Sequence, residues 1–79
     1  MKVYRNYPTQ MVTVERYDPL PGYAEVRLRE NIKNITPTDV ENPTPLFEYD
    51  EYVIHVKEKD GLQAEIESNL AEWLATGRL

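Results

Sequence analysis

His55 is the only histidine in a chain without cysteine, so acid–base chemistry near neutral pH has a single candidate imidazole. A general base also needs an orienting partner and a nucleophile or bound water. On an extended strand Val53 and Lys57 share a face with His55, with Glu51 farther along, and no recognisable nucleophile accompanies them. His55 therefore reads as a sheet-surface histidine, whose imidazole could still sense pH. Glu48, Asp50 and Glu51 gather carboxylates that a hard cation could use. They lack the regular Asp/Asn series, glycine and closing glutamate of a calcium loop, so a solvated cluster that discourages edge pairing is the simpler reading. Ser68, the only serine, has no Gly-x-Ser-x-Gly setting. No catalytic residue, metal ligand or cofactor-binding motif emerges, and the expectation is a non-enzyme without cofactor or small-molecule substrate.

Arg27, Arg29 and Lys33 beside Tyr23 have the residue types that bind single-stranded nucleic acid. The formal net charge of −5 opposes that, because phosphate neutralisation supplies most non-specific affinity. Nucleic acid is therefore an unfavoured partner, and a surface ladder of ion pairs is the alternative use of these arginines. Asn34-Ile35-Thr36 spells a glycosylation sequon without a secretory signal to give it meaning. No apolar run approaches the roughly 20 residues of a membrane span, so the chain reads as non-membrane and intracellular.

The element that must organise these residues is C-terminal. Leu62, Ile66, Leu70, Trp73 and Leu74 recur at spacings of four, four, three and one, the stripe of an amphipathic helix. Asp60 with Gln63 three residues on predicts an N-cap and capping box, and Gly77 followed by Arg78 predicts a left-handed stop. Trp73 is either core filler or a terminal anchor for a partner.

Upstream lies the sheet that such a helix would cover. Gln10–Tyr17 alternates, with Val12 and Val14 on one face, and Asp18–Gly22 follows as a hairpin loop. Tyr23–Arg29 puts Ala24, Val26 and Leu28 on one side and Glu25, Arg27 and Arg29 on the other, so Glu15 and Thr13 could sit near Arg27 and Arg29 as cross-strand pairs. Glu30–Ile35 either prolongs that strand or bends away, with Ile32 and Ile35 as core candidates. Thr36–Pro45 carries three prolines and reads as an extended loop. Phe47–Lys57 forms the last strand, with Tyr52, Ile54 and Val56 on one face and Phe47, Tyr49, Val53 and His55 on the other. Met1–Tyr7 is too short to distinguish an edge strand from an ordered arm.

With 79 residues the chain holds one small domain, either complete or the N-terminal part of a longer protein. The expected fold is α+β: a three-stranded antiparallel meander with one C-terminal helix packed on one face, in the order β-β-β-α. Its core would join Val12, Val14, Ala24, Val26, Leu28, Tyr52, Ile54 and Val56 to Leu62, Ile66, Leu70, Trp73 and Leu74. One helix covers one face. The other, carrying Tyr17, Tyr23, Arg27, Arg29, Tyr49 and His55, is the expected surface for a protein partner or for self-association.

Arg29-Glu30-Asn31-Ile32, Tyr49-Asp50-Glu51-Tyr52, Gly61-Leu62 and Glu67-Ser68-Asn69-Leu70-Ala71-Glu72-Trp73-Leu74-Ala75 together resemble small proteins encoded in phage and prophage tail-gene regions of Gram-positive bacteria, the XkdW-like group. The resemblance implies a β-rich N-terminal domain followed by a variable helical extension; this chain departs from it by ending at Leu79. It further implies a tail-associated or assembly role through protein contact, in the bacterial cytoplasm or on the virion, and carries no catalytic residue.

Overall fold

In the computed structural model, which describes residues 1–79, the alternating segments become four strands: β1 (Lys2–Arg5), β2 (Val12–Arg16), β3 (Tyr23–Asn34) and β4 (Phe47–Lys57). Two helices follow, α1 (Leu62–Ser68) and α2 (Leu70–Gly77). The sheet order is β1-β4-β3-β2 with every neighbouring pair antiparallel. Seen from its C-terminal end this is a Greek key: three consecutive strands, and a fourth returned beside the first of them. The expected three strands and single helix are corrected on both counts, while the class remains α+β.

The extra strand exists because β4 has two edges. Val3 pairs with Tyr49 and Arg5 with Phe47, and the Glu51 N–H donates to the Met1 carbonyl at 2.7 Å. The backbone groups of β4 left free by β3 are satisfied there, although four residues carry too little alternation to announce a strand.

The single helix is interrupted at Asn69, where φ is −128° and ψ 37°. The Asn69 N–H donates to both the Glu65 and Ile66 carbonyls, and its Nδ2 donates to the Glu65 carbonyl at 3.1 Å. An asparagine side chain offers the backbone an alternative to the helical ladder, and here it divides the helix. Apolar spacing does not reveal the break, since the stripe continues across it.

Both helix ends also differ from the expected caps. Gly61, with φ 73°, occupies the N-cap of α1 without any side-chain cap. Gln63 turns away from Asp60 and donates from Nε2 to the Val12 carbonyl and to Glu67. Gly77 is not left-handed but ends α2, where a Cβ would lie 3.2 Å from both Leu28 Cδ1 and Tyr52 Cβ. Its missing side chain lets the helix approach the sheet closely.

All thirteen expected core residues do meet between sheet and helices. Val12, Ala24, Val26, Leu28, Leu62, Ile66 and Leu74 are buried, and Val14, Tyr52, Ile54, Val56, Leu70 and Trp73 pack around them. Burying a side chain such as Ile66 contributes about 1.5–3 kcal/mol.

β3 runs on to Asn34 through a bulge between Glu30 and Lys33. Asn31 takes the positive φ of 56° there and donates from Nδ2 to Asp50 at 3.0 Å. One extra residue on β3 reverses which face its later side chains occupy. Ile32 and Ile35, expected core candidates, are exposed on this distal ribbon. The ribbon stretches the molecule to 47 Å along an axis against 25 and 21 Å on the others.

Candidate functional site

Strands β1 and β2 lie on opposite edges, three strand spacings or about 14 Å apart. The six residues Asn6–Met11 that join them must cross the sheet. They do so over the face opposite the helices, where Gln10 accepts a hydrogen bond from Arg29 Nη1 at 3.1 Å. Under this crossing Tyr49 is fully buried, apart from the main core, and Arg29 and Glu51 are buried beside it.

The strand register brings the charges together. Arg29 lies opposite Glu51 and Arg27 opposite Val53. Glu51 accepts at 2.9 Å from Arg27 Nη1 on one oxygen and at 2.9 Å from Arg29 Nε on the other. Arg29 Nη1 also donates to Thr13 Oγ1 at 3.2 Å. A buried carboxylate with two guanidiniums is tolerable because each oxygen has its own donor. Beyond it, Arg27 Nη2 lies 3.6 Å from Glu25, whose other oxygen lies 3.3 Å from His55 Nε2. His55 in turn stacks on Tyr17 with ring centroids 3.9 Å apart. A continuous polar line thus crosses the face from Thr13 to Tyr17.

Arg5 closes the other side of Tyr49. Its Nε donates to Tyr49 Oη at 3.0 Å and its Nη1 to Tyr7 Oη at 2.6 Å. The hydrogen bond to Tyr49 raises the Arg5 guanidinium above the ordinary arginine value, so it stays cationic throughout the working pH range.

Of the six expected partner-binding residues, four remain at the surface of this face. Tyr17, Tyr23 and Arg27 are half-buried and His55 is exposed, grouped around the exposed Val53. Arg29, 6% exposed, and Tyr49, fully buried, instead lie beneath the N-terminal crossing. Their burial depends on a segment too short to show a pattern, and no local signal distinguishes them from their neighbours. Thr13 lies opposite Arg27 and accepts from Arg29, while Glu15 lies opposite Glu25 and, though near both arginines, makes no ion pair with either.

The remaining candidates are dispersed. Lys33 pairs opposite Glu48 beyond the bulge, on the other face from Arg27 and Arg29. Glu48 and Asp50 point to the helix side, held by Lys2 Nζ at 3.0 and 3.5 Å, while Glu51 points to the opposite side. Strand alternation alone separates these three carboxylates, and no cluster of three or more potential ligands could hold a metal ion. No helix is long and apolar enough to cross a membrane. No protein-family model, curated protein or solved structure matches this chain.

Proposed function

We propose that this chain is a non-enzymatic protein–protein interaction module, of the kind its Tyr49–Tyr52 and Glu67–Ala75 segments resemble: a phage or prophage tail-associated or assembly protein. The observation that carries the reading is the open half of the face opposite the helices. There the exposed Val53 and the Tyr17–His55 stack form an apolar and aromatic centre, rimmed by Tyr23, Glu25 and Arg27. An apolar, aromatic centre with a charged rim is the anatomy of a protein contact surface. The outer edges of β1 and β2 add unpaired backbone groups to which an extended segment could pair. Arg27 and Arg29 are already engaged by Glu51, which leaves the basic-face reading for nucleic acid without a free charge pair.

Sedimentation velocity over a broad concentration range, alone and with tail components from a native lysate, tests this directly. A concentration-dependent shift or co-sedimentation that is lost in Val53→Asp is the expected outcome. Monomers at every concentration with no co-sedimenting chain, or salt-dependent DNA binding, contradict it.

A further inference from the structure

We propose that the cleft between the N-terminal crossing and the sheet binds a small oxyanion, phosphate or carboxylate. This cleft, of about 370 Å³, adjoins the Val53 surface at Arg27 and is lined by Arg5, Tyr7, Thr9, Thr13, Glu15, Arg27 and Arg29.

Hydrogen-bond accounting identifies the ligand class. Arg5 uses Nε and Nη1 on two phenol oxygens and has no carboxylate partner, leaving Nη2 free. Arg29 uses Nε and Nη1 and likewise leaves Nη2 free. The hydroxyls of the lining residues Tyr7 and Thr13 each accept from an arginine and donate to no protein acceptor. Tyr49 ties the two guanidiniums together, since its oxygen meets Arg5 Nε and its ring lies 5.7 Å from the Arg29 guanidinium carbon. Donors thus crowd a concave site: of its three guanidiniums Arg27 and Arg29 share Glu51 and only Arg5 has no carboxylate partner, while the one lining carboxylate, Glu15, faces a like charge at Glu25 across the strands. The group that completes such a site is an acceptor with several oxygens and negative charge. Phosphate and carboxylate share that chemistry, and guanidinium forks suit both.

The test is an NMR titration of the whole chain, following arginine Nε–Hε and backbone amide signals. Sodium phosphate is added in one series and sodium acetate in another, with ionic strength held constant by sodium chloride. Saturable shifts at Arg5, Arg29 and Thr13 are expected, and the tighter series identifies the anion's source. Arg5→Gln should weaken binding by about tenfold or more, the loss of one charge-assisted hydrogen bond. Glu15→Gln, at an exposed position that cannot upset the β1 pairing, should tighten it several-fold. Linear, non-saturating shifts in both series overturn the proposal, as does saturable binding that neither variant changes.

Discussion

On the helix side of the sheet, six other buried apolar residues close around Ile66, whereas on the opposite side Tyr49, Arg29 and Glu51 are equally buried with only one ring among them. The first region gains stability from area removed from water and can lose a methyl group without losing its logic. The second is conditional: each group is affordable underground only while the others are present. An apolar core degrades gradually under substitution, while a buried ion pair fails when either member is removed.

The largest effect should therefore come from Glu51→Ala, which leaves Arg29 buried without its carboxylate. A loss of about 3–5 kcal/mol in urea unfolding is expected. The double replacement Arg29→Met with Glu51→Leu removes both charges and should recover most of that loss, so non-additivity is the diagnostic result. Ile66→Ala, on the helix side, should cost about 2–5 kcal/mol with no such rescue available.

Gly77→Ala sets two effects against each other. Alanine is better than glycine in a helix by about 1 kcal/mol, but the new Cβ meets Leu28 and Tyr52 at 3.2 Å, and overpacking costs about 1–3 kcal/mol. Tyr52 Cβ is fixed to a paired strand and yields little, so net destabilisation of about 1 kcal/mol is expected by thermal unfolding. A more stable variant would show that α2 can lift off the sheet.

The core was legible in the sequence because burial there follows two periods, alternation in the strands and the 3.6-residue stripe of the helices, and Val12 to Leu74 obey both. β1 was not, because Lys2–Arg5 becomes a strand only by pairing with residues near position 50. The break at Asn69 also escaped periodicity, being a competition for the Glu65 and Ile66 carbonyls within an unbroken apolar stripe. Tyr17, Tyr23, Arg27 and His55 could be assigned to one face by alternation alone. That Arg29 and Tyr49 are roofed over could not, since the roof is the β1–β2 crossing and its path is set by the sheet order.

A smaller effect belongs to the surface pair that fastens the end of α2 to β3. Arg78 hydrogen-bonds both oxygens of Glu30, and Tyr52 Oη donates to one of them at 3.2 Å. The Arg78 hydrogen bonds hold the Glu30 carboxyl below its ordinary value of 4.5. A depressed folded-state value means that the pair's contribution is present above the unfolded pKa and is lost as pH falls through the folded one. Arg78→Gln should raise the Glu30 midpoint in carboxyl-carbon NMR and flatten the acid limb of stability. An unchanged midpoint would mean that the pair does not persist in solution.

The contrast between the two faces rests on the N-terminal crossing lying over Tyr49, and a soluble paramagnetic probe measures that cover ring by ring. Among the six tyrosines, Tyr49 should show the weakest relaxation enhancement, while Tyr4, 57% exposed, and Tyr7, 50% exposed, should show strong effects. Enhancement of the Tyr49 ring equal to that of Tyr4 would mean that the crossing does not cover the sheet in solution, and that the buried Arg29–Glu51 pair beneath it is open to water.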